Sequence, residues 1–240
     1  MVGLRGLLVA AVSLLATFIA TLSIARILGV ERRLAELIAA GTSICGASAI
    51  VATNSVTNAN DEDVAYAVAS ITLFGTIAMF TYPLLMSALG LSYADYGLWV
   101  GTAIHEVAQV IGAGFQNGTE AGEVSTVAKL ARVAMLAPLV LALGYLANIR
   151  RSENVSARVP VPWFVFGFIA VVVFNSFVSL PEEFMATVPK VATFMLTMGL
   201  AAMGLKTNLA AIRAKGVRPF LLALSASIFI AATSLLLIKM

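Results

Sequence analysis

Eight apolar runs, each long enough to cross a bilayer as a helix, divide this chain and constrain its fold more than any other feature. They are 6–25, 34–54, 64–89, 97–115, 124–147, 161–180, 187–205 and 219–238. About 20 apolar residues are needed to cross roughly 30 Å of hydrocarbon. The runs are continuous and lack the alternation of barrel strands, so helices are the spanning element. With 60% hydrophobic and 11% charged residues, the composition lies far from that of a soluble domain. The sequence therefore predicts an all-α polytopic membrane protein with about eight transmembrane helices, forming a single domain over 1–240. Its N-terminal run is too long for a signal peptide and has no small-residue cleavage site. The net charge of +3 comes from few residues, and nothing suggests nucleic-acid binding. Cys45 is the only cysteine, which excludes an intramolecular disulfide.

The loops suggest an orientation. Arg26, Arg32 and Arg33 follow the first run, Arg150, Arg151 and Arg158 the fifth, and Lys206, Arg213, Lys215 and Arg218 the seventh. If all eight runs cross, these basic loops share one side, which the positive-inside rule makes cytoplasmic. The acidic residues Asp61, Glu62 and Asp63 after the second run would then lie opposite. Both termini would be outside, an arrangement that predicts a missing preceding helix.

Within the fourth run lies the only histidine, His105, next to Glu106, with Gln109 one turn on and glycines at 101, 112 and 114. Ionisable groups at membrane depth are costly, and by default they mark a functional site. The second run echoes the fourth. Gly41–Ile50 aligns without a gap on Gly101–Val110, with Gly-Thr-x-Ile in common. Repeated, glycine-interrupted runs point to broken helices, whose half-helix ends at mid-membrane can hold an ion. Thr42, Ser43, Cys45, Gly46, Ser48 and Thr102 are candidate ligands from these two segments. Close helix packing is the plainer reading of the small residues at 41–49. Lys129 and Arg132, three apart in the fifth run, share a helix face. They either snorkel to the interface or face inward, neutralise Glu106 and bind an oxyanion. His105 and Glu106 either line a substrate or proton path or form a structural pair. His-Glu-x-x-Gln falls one histidine short of a metalloprotease motif, and no nucleophile elbow is present, so an enzyme is not expected and an intramembrane hydrolase is the least favoured alternative.

Several segments together carry a family resemblance: 40–50, 72–80, Ile104–Val110, Lys129–Val133 and Gly204–Leu209. The chain resembles the YeiH-type family of bacterial inner-membrane proteins, described as sulfate exporters. The resemblance implies an inner-membrane transporter with an inverted repeat and two broken helices crossing near the midplane, as in bile-acid symporters and Na⁺/H⁺ antiporters. Members carry further N-terminal helices, so the chain is expected to begin one helix later than they do. Combining residues and resemblance, the expected function is secondary transport of a small anion, sulfate or an organosulfonate, coupled to H⁺ or Na⁺. No other cofactor and no metal is expected. The anion, the lipid bilayer and further copies of the chain are the expected partners. The binding residues would be Thr42, Ser43, Cys45, Gly46, Ser48, Thr102, His105, Glu106, Gln109, Lys129 and Arg132. A channel-like or non-transporting bundle is the alternative.

Overall fold

In the computed structural model, residues 3–150 and 216–240 are described, with scattered positions between 167 and 201. Most of the sixth and seventh runs, including Asn175 and the 204–209 motif, lies outside the described residues. The described chain is helical: α1 (Gly3–Leu28), α2 (Arg32–Ser43), α3 (Ala47–Thr57), α4 (Asp61–Ala88), α5 (Tyr93–Ala103), α6 (Val107–Gln116), α7 (Thr119–Ala134), α8 (Leu136–Arg150) and α9 (Val217–Lys239). Among these residues, four helical stretches are long and apolar enough to cross a membrane: α1, α4, α7 continuing into α8, and α9.

The helix boundaries follow local chemistry. Asn60 caps α4, its side chain accepting the Asp63 N–H (2.7 Å) ahead of an acidic first turn. Ser92 caps α5 by accepting the Asp95 N–H (3.1 Å), and its hydroxyl donates back to the Asp95 carboxylate. α3 stops at Asn58, which takes the left-handed conformation.

The second and fourth runs are each broken into two short helices that fold back on one another, so neither is a single helix long enough to cross. At the start of α2, Arg33 donates to the carbonyl of Asn58, just beyond the end of α3 (2.8 Å). Tyr96 in α5 donates to the carbonyl of Ala113 in α6 (3.0 Å). Each pair of short helices is therefore a hairpin that returns to the face it entered from. Arms of 10–12 residues are about 15–18 Å long, half the hydrocarbon thickness. A run of 20 apolar residues meets the spanning criterion whether it passes straight through or doubles back, so hydropathy cannot separate the two. The broken second and fourth helices expected from the sequence are present as breaks, but they are the tips of hairpins.

The hairpins enter from opposite faces. α4 spans about 42 Å over 28 residues and runs from the base of the first hairpin at Asn58 to the base of the second at Ser92. α9 runs antiparallel to α1. Arg218 near its start lies beside Gly29, Lys239 at its end donates to the Leu89 carbonyl (3.0 Å), and Arg5 bonds the Ile238 carbonyl. Arg26, Arg32, Arg33 and Arg218 thus share the face of the first hairpin's base, which the positive-inside rule assigns to the cytoplasm. Asp61 to Asp63 lie on that same face and not opposite it. Asp95 and Glu120 line one pocket with Arg5 on the other face, because the second hairpin returns there.

Burial is arranged for lipid. On α1 the small polar residues Ser13, Thr17 and Thr21 face inward, while Leu4, Leu8, Leu15, Ile19 and Ile27 are exposed. Such an apolar exterior suits a bilayer, where small residues allow close helix approach. α5 packs against α7 in this way: a Cβ at Gly101 would strike the Ser125 carbonyl, and one at Gly97 the Ala121 carbonyl. Trp99 of α5 stacks on Tyr82 of α4 (centroids 4.2 Å apart) and donates to the Ala231 carbonyl of α9 (2.9 Å). Hairpin two is thereby wedged among α4, α7 and α9.

Candidate functional site

The two hairpin tips meet each other. The first turns at Ile44-Cys45-Gly46, the second at Ile104-His105-Glu106, the same columns that align in the sequence. Glu106 reaches across the junction, and its Oε1 accepts the backbone N–H of Ala47 in the first turn of α3 (2.6 Å). An anion at a helix N-terminus is stabilised by free N–H groups and by the macrodipole. Gly46 makes room for it: its φ of 75° and ψ of −128° suit glycine, and a Cβ there would collide with the Glu106 carboxylate. Glu106 also caps its own helix, its N–H donating to the Gln109 side-chain oxygen (3.2 Å).

α7 supplies the opposite chemistry. Lys129 is fully buried, and its Nζ donates to the carbonyls of Ile44 and Ile104, each at 2.8 Å. These are the C-terminal carbonyls of α2 and α5, one from each hairpin. Arg132, one turn on and equally buried, donates to the carbonyls of Thr42 (3.0 Å), Ser43 and Thr102. A cation at a helix C-terminus satisfies orphan carbonyls and complements the dipole. Both therefore face inward and do not snorkel. No ion pair joins either of them to Glu106 among the described residues; they clamp the two tips from one side while Glu106 joins them from the other. With three donors on lysine and five on arginine, one N–H on each stays uncommitted among the described residues.

The remaining candidates divide. Thr42 and Ser43 are buried, and their hydroxyls have no partner among the described residues. Cys45 is buried in the first tip. The Thr102 hydroxyl bonds back to the Leu98 carbonyl (2.7 Å). Gln109 holds the second hairpin to α4, donating to the Thr72 carbonyl and the Thr76 hydroxyl (3.2 Å each). Ser48 is exposed and stands apart from the buried junction. The Nε2 of His105 meets Ser227 Oγ of α9 at 3.2 Å. The same Ser227 hydroxyl also lies 2.8 Å from the Ala223 carbonyl. His105 Nδ1 is buried without a partner.

Sequence reasoning missed Ser227, Thr76 and the Ala47 amide. Ser227 sits in an ordinary apolar run more than 120 residues from its partner, so no local pattern marks it. Gly75, within the 72–80 segment, leaves the space that the Gln109 side chain fills.

These features define an all-helical membrane protein with two opposed helical hairpins whose polar tips meet in its interior. The chain belongs to the family described as conserved hypothetical protein 698, which matches residues 1–223. Its relatives include a UPF0324 membrane protein of Pseudomonas aeruginosa, 43% identical over 233 residues that cover 92% of this chain and 66% of that protein. A UPF0324 membrane protein of Neisseria meningitidis is 39% identical, covering 92% and 67% of the two chains. The UPF0324 inner membrane protein YeiH of Escherichia coli is 35% identical, covering 93% and 65%. The chain thus spans about two thirds of the length of these relatives. No solved structure is significantly similar to it.

Proposed function

We propose that this chain forms the core of an inner-membrane secondary transporter for a small anion of the sulfate or organosulfonate type, coupled to H⁺ or Na⁺. The observation that carries the reading is the meeting of two opposed hairpin tips, with the N-termini of α3 and α6 and the cations Lys129 and Arg132 at one buried junction. Each hairpin occupies about half the membrane thickness. Displacing either one would open the junction to one face while the other stays shut, which is the geometry alternating access needs. Anion is favoured over cation because two buried cations stand against one carboxylate, Glu106, and because uncommitted N–H groups remain there. Opposed hairpins also suit the inverted-repeat ancestry that the aligned breaks suggest.

Reconstitution tests this. Liposomes carrying the whole chain should take up radiolabelled sulfate or a small sulfonate faster than empty liposomes, and Glu106→Gln should alter that uptake. A bound anion at 100 times its Kd should also raise apparent stability by about 2.7 kcal/mol. Uptake equal to that of empty liposomes, with no stabilisation by any small oxyanion or sulfonate, would overturn the reading.

A further inference from the structure

Among the described residues, the hairpin junction carries an unbalanced charge. The four helix ends that meet there cancel: α2 and α5 each present about half a negative charge, α3 and α6 about half a positive. Lys129 and Arg132 then stand against Glu106, the only acidic side chain on either tip. About one positive charge remains while Glu106 is ionised, and about two once it is protonated. An uncompensated charge in a low-dielectric interior is expensive, so a bound anion of matching charge is stabilised.

Glu106 already occupies the place such an anion would take. Its carboxylate accepts the Ala47 N–H at 2.6 Å and rests against Gly46. An incoming oxyanion would compete for that same N–H. Three buried polar atoms without partners among the described residues lie on the same two tips: Thr42 Oγ1, Ser43 Oγ and His105 Nδ1. Among the described residues, the charged and titratable groups around Glu106 are Cys45 from the first hairpin, Lys129 and Arg132 from α7, and His105 on its own tip. α4 and α9 contribute only neutral groups to the tip, Thr72 and Thr76 through Gln109, and Ser227 through His105.

Building on the transport reading, we infer that Glu106 is a tethered anion which a divalent oxyanion displaces from the first turn of α3 as Glu106 takes up a proton, so that one proton travels with each dianion. The proton comes from water on the face to which the junction is open and adds to the carboxylate oxygen. The Ala47 N–H bond to Glu106 breaks and re-forms to the oxyanion. Release on the far side reverses both steps. Tethering also keeps the empty junction closed, because the carboxylate returns to Ala47 when the dianion leaves.

The test is titration calorimetry of the purified whole chain with sodium sulfate, at one pH in buffers of different ionisation enthalpy and then across pH. The wild type should take up about one proton per sulfate, and its affinity should rise about tenfold per unit of acidification above the Glu106 titration. Glu106→Gln, which resembles the protonated carboxyl, should bind sulfate with no proton uptake and with flat pH dependence. Glu106→Asp should restore the uptake. Sulfate binding to the wild type without proton uptake would overturn the inference and leave anion transport standing. Proton uptake that persists in Glu106→Gln would also overturn it, by placing the proton on His105. If neither sulfate nor a sulfonate binds the wild type, the transport reading itself falls. The wild-type proton count decides even if the variants do not fold.

Discussion

Lys129→Met keeps the apolar stem of the side chain and removes the ammonium that joins the two tips. The lysine Nζ makes two 2.8 Å bonds, to the Ile44 and Ile104 carbonyls, at a position with no solvent exposure. A hydrogen bond to a charged group contributes about 1.5–3 kcal/mol in proteins generally, whereas interhelical bonds within membranes average about 0.6 kcal/mol. For two bonds these limits bracket the loss at roughly 1–6 kcal/mol. Losing the cation also leaves Glu106 less compensated, while the desolvation cost of the lysine disappears, so the two changes partly offset each other. Arg132 still holds Ser43 and Thr102 from the next turn. A net cost of about 3 kcal/mol is expected, a factor of about 100 in the equilibrium for parting the tips. Cys45 reads this directly. It is the only cysteine, is buried, and is the residue after Ile44. Where opening is fast relative to labelling, the rate at which a thiol-reactive fluorophore modifies Cys45 follows the opening equilibrium. Lys129→Met should label about 100-fold faster than wild type. Arg32→Ala, which removes an exposed ion pair with Glu36, should change the rate little. A Lys129→Met rate within about threefold of wild type would refute the clamp.

Two further outcomes follow from the tips and the hairpin bases. Gly46→Ala forces a side chain into a glycine conformation and against the Glu106 carboxylate. It should cost about 3 kcal/mol or more, seen as faster Cys45 labelling and a lower thermal midpoint; wild-type behaviour would remove Glu106 from that position. In a Cys45→Ser background, Asn58→Cys and Gln116→Cys place thiols at exposed positions at the two hairpin bases. A membrane-impermeant maleimide should label them from opposite sides of sealed vesicles, and labelling of both from one side would refute the opposed hairpins.

Much of the site could be read from the residues because burying polar groups in lipid is costly. A histidine, a glutamate, a lysine and an arginine inside apolar runs need partners, so they had to converge, and they do. The gap-free alignment of 41–50 on 101–110 located both chain breaks at equivalent columns. What each residue does was less legible. Lys129 and Arg132 read as countercharges for Glu106, yet both bond backbone carbonyls, which have no sequence signature. Ser48 read as a ligand and is exposed, because the side on which a hydroxyl falls depends on where the hairpin turns.

The sequence alone determined that this chain is helical and lives in a membrane, since apolar runs of this length leave no other way to satisfy the backbone. It also determined where the helices break, through glycines and ionisable residues that interrupt those runs. Only the tertiary structure decided that the second and fourth runs turn back on themselves. Hydropathy measures how apolar a segment is and carries no information on its direction beyond a break. That direction is settled by contacts distant in the chain: Arg33 with Asn58, Tyr96 with Ala113, and Lys129 with both tips.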